Sequence, residues 1–174
     1  RIERGRRVLV HGAAGGVGHL AVQIARNLGA EVTASGSAAS QTLLRWLRPS
    51  LVIDRAAPVA TWGGPFDAIL DCTTTLTPKH LQALLASDGH YVATTPRFPQ
   101  VVIDTVLNLV RRGQRGVLML KPDAADLETL VQQAAAGHLR VAIERTYPLA
   151  KAADALLHSR TGQVRGKVVV AIDA

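Results

Sequence analysis

The stretch Val8–Ser37, VLVHGAAGGVGHLAVQIARNLGAEVTASGS, decides how this chain folds. Val8 to His11 is a short β-branched run ending at a glycine, the pattern of a buried strand followed by a sharp turn. Beyond the turn, Leu20, Ala21, Ile24, Ala25 and Leu28 recur at the spacing that puts apolar side chains on one helix face. Gly29 stops that helix, and EVTAS at 31–35 reads as a second strand. A strand, a glycine-rich turn and a helix make a phosphate cradle: the turn lets backbone approach an anion, and the first helical N–H groups point at it.

Gly12, Gly15 and Gly18 space the turn as G-x-x-G-x-x-G. On the dinucleotide fingerprint, Ala13 takes the first glycine's place, Gly15 admits the pyrophosphate, and Gly18 allows close helix–strand packing. The whole loop, Gly12, Ala13, Ala14, Gly15, Gly16, Val17 and Gly18, is therefore expected to hold a cofactor. No Lys-Ser or Lys-Thr pair follows the last glycine, where His19 stands, which excludes a Walker-type loop. NAD-binding proteins carry an acidic residue about 20 residues further on to accept the ribose hydroxyls. Here that place holds Ser35, Gly36 and Ser37, and Glu31 lies at the wrong end of the strand, facing solvent. No carboxylate repels a 2′-phosphate and two hydroxyls can donate to it, so NADP(H) is expected in preference to NAD(H). Arg45 or Arg48 of the next helix is the candidate cationic partner, against the plainer reading of a solvated helix face.

Working outward, Thr42 to Leu47 reads as a short helix, LVID at 51–54 as a third strand, and FDAILDC at 66–72 as a fourth. A helix from Pro78 to Leu85 leads through an Asp-Gly turn to a fifth strand, GHYVATT at 89–95. Alternating strands and helices predict an α/β fold: a Rossmann-type doubly wound parallel sheet of about six strands, ordered 3-2-1-4-5-6, with helices on both faces. Ligands bind such sheets at the carboxyl ends of the strands, which adds Cys72, Thr73, Thr94 and Thr95 to the expected cofactor site. Further on, the pattern predicts a helix over 101–112, a sixth strand over 116–120, a helix over 124–136, a strand around 140–144, a helix over 150–158 and a last strand over 166–173. One domain is expected, with residues 1–122 as its core and 123–174 as a C-terminal segment.

The 174 residues are 48% hydrophobic and carry a net charge of +7. The basic residues are scattered and aromatics are only 3%, which argues against a nucleic-acid surface. No apolar run reaches membrane-spanning length, so no membrane is expected. The single cysteine, Cys72, forms no internal disulfide and reads as a buried small hydrophobe; cytoplasm is the default compartment. The six histidines include no i, i+4 pair and no Cys-x-x-Cys accompanies them, so no metal is expected.

At these residues the sequence resembles a known family. VLVHGAAGGVGHLAVQIARNLGAEV is similar to the cofactor-binding segment of the medium-chain dehydrogenase/reductase superfamily, in its quinone oxidoreductase (zeta-crystallin-like) branch. FDAILDC resembles that family's fourth strand, DGHYVATT its fifth, and the run from Leu120 to Asp173 the C-terminal segment of zinc-independent members. The resemblance implies NADPH-dependent reduction of a quinone or an α,β-unsaturated carbonyl by hydride transfer, without a metal. It implies as partners NADPH and a small carbonyl or quinone substrate, with the choice between monomer and homodimer open. It also implies an N-terminal GroES-like catalytic domain before this chain, on which the segment after about residue 140 would pack, and little or no turnover without it. Many members carry a lysine where this chain has Gln41, and Val-Gly where it has Cys72-Thr73.

Three further readings compete. YPLAK, Tyr147 to Lys151, fits the Tyr-x-x-x-Lys pair of short-chain dehydrogenases, but Pro148, the missing upstream serine and DCTTT after the fourth strand oppose it. Tyr147 and Leu149 are then expected as apolar anchors at a strand-to-helix junction. His19 either meets a phosphate or lies at a surface or interface, and Asp71, at a strand's carboxyl end where open α/β sheets bind ligands, reads equally as a ligand-site residue or as a helix cap or loop brace. The alternative from another class is a non-catalytic nucleotide-sensing or interaction module.

Overall fold

The computed structural model describes residues 2–95, 115–117 and 121–172. The predicted helix over 101–112 and the end of the predicted sixth strand, 118–120, lie outside the described residues. Six parallel strands form one sheet in the order β3-β2-β1-β4-β5-β6. They are β1 (Arg7–His11), β2 (Glu31–Gly36), β3 (Leu51–Asp54), β4 (Phe66–Asp71), β5 (Leu85–Ala93) and β6 (Arg115–Val117). The expected order is therefore the observed one, and the chain reverses its direction of winding between β1 and β4.

Alternation along the strands explains the two-sided cover. Val8 and Val10 face one side and Leu9 the other, because successive side chains of a strand point to opposite faces. Val8 and Val10 pack with Val22 and Ala25 of α1 (Gly18–Asn27), with Val32 and Ala34 of β2, and with Leu44 of α2 (Gln41–Trp46). Leu9 packs with Ile53, Phe66, Ile69, Tyr91 and Leu81 of α3 (Pro78–Leu84). Both sets are nearly free of solvent, so each strand is apolar on both sides, as parallel sheets require.

Local chemistry fixes the boundaries. Gly29, at φ +84°, ends α1 in the left-handed region that glycine reaches without a Cβ penalty. Thr77 caps α3, its side chain accepting from the His80 N–H while the His80 ring accepts from the Thr77 N–H, each at 3.3 Å, and Pro78 follows. Leu85 is already extended, so β5 begins there rather than after the Asp-Gly pair. That pair forms an irregularity inside the strand, where a Cβ on Gly89 would lie 2.9 Å from the Phe66 carbonyl oxygen.

The C-terminal segment adds α4 (Ala124–Ala135), β7 (Ile143–Pro148), α5 (Ala152–Arg160) and β8 (Lys167–Ala171). Asp123 caps α4, accepting from the N–H groups of Ala125 and Asp126. The strand expected around 140–144 starts at Ile143 instead. It pairs with β8 in a separate parallel two-stranded sheet, which draws the extended backbone to Pro148. Tyr147 is a buried anchor there, but Leu149 is 57% exposed and anchors nothing among the described residues. No helix among the described residues is long and apolar enough to cross a membrane.

Candidate functional site

The glycine loop is built by close contacts that admit no side chain. A Cβ on Gly18 would lie 2.3 Å from the Gly12 carbonyl oxygen and 2.7 Å from the Ala13 Cα, so only glycine lets α1 start this close to β1. Gly12 sits at φ +75°, and a Cβ there would meet the Thr73 methyl at 2.5 Å. At Gly15 the nearest atom to an added Cβ is the Gly12 oxygen at 3.4 Å, so its open side faces a cavity. The N–H groups of Gly12 and Ala13 bond the Ser35 carbonyl, and that of Gly15 the Gly12 carbonyl. Among the described residues, the N–H groups of Gly16 and Val17 have no backbone acceptor, and no side chain caps α1. Unmatched N–H groups at a helix start attract an anion.

That cavity holds about 490 Å³, enough for part of a dinucleotide. Of the predicted residues, Gly12, Ala14, Gly15, Gly36, Ser37, Cys72 and Thr73 line it. Ala13 is buried behind the loop, Gly18 packs against it, and Val17 is half-exposed where α1 begins. Thr94 bonds the Asp71 carbonyl through its N–H and Thr95 accepts from the Thr74 hydroxyl, so both sew β5 to the end of β4 rather than line the cavity.

Two expectations need correction. Ser35 is fully buried and its hydroxyl lies 2.6 Å from His11 Nδ1, turned into the sheet by strand alternation, so it offers nothing to a ligand. Arg45 and Arg48 are exposed and absent from the lining. The lining arginines are Arg55, just past β3, and Arg165, in the loop before β8. Gly162, Gln163 and Val164 of the same loop, with Ser40, complete the wall, and no Asp or Glu lines it. Sequence gave one signal for Arg55: β3 neighbours β2 in the expected strand order, so its carboxyl end borders that of β2. Nothing local marked the loop at 162–165.

The loop at 162–166 reaches the cavity because Gly166 bonds the glycine loop directly, its N–H donating to the Ala14 carbonyl at 2.7 Å. Lys167 Nζ would lie 3.1 Å from a Cβ on Gly16, bringing a further cation beside the loop. Glu144 binds both Arg165 Nε, at 3.0 Å, and His158 Nε2, at 2.9 Å. Burial pushes the Glu144 carboxyl up, but the bonds from His158 and Arg165 outweigh it and hold the group below the usual carboxylate range.

Under the cavity floor runs a directed chain of hydrogen bonds. Asp71 is fully buried and braces the loop after β4: Oδ1 accepts from the N–H groups of Thr73 and Thr74 and from the Thr73 hydroxyl, Oδ2 from the Leu76 N–H and the Tyr91 hydroxyl. The loop needs that brace, since Thr74 stands at φ +55°. Because the Thr73 hydroxyl donates to Asp71, its oxygen accepts from Thr75, 2.8 Å away. Thr75 in turn accepts from His11 Nε2–H at 2.8 Å, leaving Nδ1 to accept from Ser35. The order of donors thus places a proton on His11 Nε2, and the ring lies tilted at 31° to Trp62 with centroids 5.4 Å apart.

Burial is the main cause lowering the His11 pKa, helped by Arg55 and His80 and opposed by Asp71. His19, expected near a phosphate or at a surface, is buried: Nδ1–H donates to the Gly15 carbonyl at 2.8 Å, and burial likewise lowers its pKa. Both imidazoles hold a proton less tightly in the folded chain than in the unfolded one, where the ordinary value is 6.5. Stability is thus fully present above that pH and falls as pH drops below it, through the folded-state values, because the unfolded chain takes up the protons first. Urea unfolding from about pH 7.5 to about pH 5 is expected to show this loss, with a shallower slope in His11→Asn. Cys72 is partly buried on the cavity wall, and burial first, then Asp71, pushes its thiol up to about 11, so it stays protonated.

Comparisons place this geometry. The model of the family described as zinc-binding dehydrogenase matches residues 50–170. A chloroplast envelope quinone oxidoreductase homolog from Arabidopsis thaliana is 29% identical over 170 residues, covering 94% of this chain and 51% of its own. The human mitochondrial NAD(P)H oxidoreductase RTN4IP1 is 30% identical over 198 residues, covering 95% and 48% respectively. The solved quinone oxidoreductase from Coxiella burnetii superposes with a TM-score of 0.85 at 27% identity, over 99% of this chain and 54% of that one. The chain spans about half the length of each of these three relatives. The chain therefore belongs to the zinc-binding dehydrogenase family, in the quinone oxidoreductase branch of the medium-chain dehydrogenase/reductase superfamily.

Proposed function

We propose that this chain is the NADP(H)-binding domain of a zinc-independent oxidoreductase that reduces a quinone or an α,β-unsaturated carbonyl. The cofactor choice is carried by one observation: the cavity end beyond β2 offers Gly36, Ser37 and Ser40 with two arginines and no carboxylate. A dinucleotide fits the residues present, since Gly15 leaves the cradle open and the unmatched N–H groups of Gly16 and Val17 stand at the start of α1. When bound, the nicotinamide supplies the hydride. The chain's own residues bind and orient: the glycine loop holds the diphosphate, and Asp71 fixes Thr73 on the cavity wall. Zinc independence rests on a sequence without Cys-x-x-Cys or i, i+4 histidines. Cytoplasm is the proposed compartment.

The quinone is proposed from the quinone oxidoreductases among the relatives and the carbonyl from the resemblance to the medium-chain family, and the substrate cleft would be completed by a further domain. Leu127, Leu130 and Val131 of α4 and Leu156 and Leu157 of α5 are exposed, and each helix thus carries apolar side chains suited to packing against such a domain. Parallel fluorescence titrations with NADPH and NADH test the cofactor, with tighter NADPH binding expected. Tighter NADH binding overturns the assignment, and binding of neither favours the non-catalytic module. NADPH oxidation with a quinone by this chain alone is expected to be near zero; rapid turnover would refute the need for a further domain.

A further inference from the structure

We propose that Arg165, supplied by the loop before β8 and aimed by Glu144, is the residue that selects a 2′-phosphorylated adenosine in this site. The inference rests on the NADP(H) reading and goes beyond it by naming a specificity residue outside the β2–α2 region where such residues were expected. Arg165 lines the same cavity as Ser37 and Ser40, and its Nη1 donates to the Ala39 carbonyl at 3.0 Å, which brings the guanidinium to the turn after β2. Its Nε donates to Glu144 Oε1 at 3.0 Å, and Glu144 is itself fixed by His158. Two of the five guanidinium N–H donors are thus used to set the plane, and three remain.

A planar donor fork held in advance suits a phosphate dianion, because less side-chain freedom is lost on binding. Arg55 lines the same cavity and adds positive charge without a side-chain hydrogen bond among the described residues. With no Asp or Glu on the lining, Arg55 has no carboxylate partner within the cavity, while Arg165 is ion-paired with Glu144 behind it and keeps its remaining donors free for a phosphate. Gln41, where many family members carry lysine, is absent from the lining, so the cation comes from the other end of the chain. Glu144 is a positioning residue: its carboxylate touches the arginine, not the cavity.

The test uses 2′,5′-ADP and 5′-AMP, which differ only in the 2′-phosphate and need no nicotinamide pocket. The full chain is expected to bind 2′,5′-ADP more tightly. Arg165→Ala is expected to cut that affinity about tenfold to a hundredfold, the worth of one or two charge-assisted hydrogen bonds, and to leave 5′-AMP unchanged. Glu144→Gln should lower the 2′,5′-ADP affinity less, Arg165→Lys should recover part of it, and Arg45→Ala, outside the cavity, should match the parent. If Arg165→Ala weakens both nucleotides equally, or neither, while the parent still prefers 2′,5′-ADP, the NADP(H) reading stands and the role of Arg165 is overturned. A parent chain that does not prefer 2′,5′-ADP overturns both.

Discussion

Gly18→Ala is expected to destabilise the fold by about 3 kcal/mol and to weaken dinucleotide binding with it, because one methyl group cannot be fitted without moving α1 away from β1. The added Cβ would sit 2.3 Å from a backbone oxygen and 2.7 Å from a backbone Cα, neither of which is the movable end of a side chain. Relief requires the helix start to retreat, and the unmatched N–H groups of Gly16 and Val17 retreat with it. A fall in Tm of about 10 °C is the expected thermal readout for a chain of this size. Gly15→Ala is the informative contrast, since its Cβ would point into the cavity at 3.4 Å from the nearest atom. That variant should keep its stability and lose only affinity.

Asp71→Ala is expected to cost about 4 kcal/mol, among the largest effects of any single side-chain truncation in this chain. Its carboxylate accepts five hydrogen bonds in a fully buried place, three of them from backbone N–H groups of the loop after β4. Removing it leaves those donors without acceptors, and bonds to a charged group are each worth about 1.5–3 kcal/mol before the loop relaxes. Thr74 would lose the contact that holds it at positive φ, and the Thr73 hydroxyl would lose its acceptor. Chemical denaturation of Asp71→Ala against Asp71→Asn measures the brace: the amide keeps the shape and is expected to restore part of the stability.

The sheet was legible because its signals are local. Val8, Leu9 and Val10 announce a strand covered on both faces, Gly12, Gly15 and Gly18 space the turn, and Gly29 ends the helix within a few residues of where the periodicity stops. Strand–helix alternation together with the dinucleotide-binding loop then points to the Rossmann order 3-2-1-4-5-6, which is the order observed. The adenosine end of the site was less legible. Ser35 reads as a ligand hydroxyl until strand register shows it facing His11, and Arg45 reads as the phosphate partner until α2 turns it outward. Arg165 reaches the cavity through contacts spanning more than a hundred residues, such as its bond to Ala39, and no local pattern encodes these. His19 was misjudged for a similar reason: its ring folds back on the Gly15 carbonyl, a pairing set by loop geometry rather than by residue type. The shift of the penultimate strand to Ile143–Pro148 likewise depends on pairing with β8, over twenty residues away.

A crystal structure of the full chain with NADPH tests the central claim most directly. The account predicts the diphosphate against Gly15, Gly16 and Val17, and the adenosine phosphate between Ser37 and Arg165. A diphosphate bound away from the glycine loop, or an adenosine end turned from Ser37 and Arg165 toward Arg45, would contradict it.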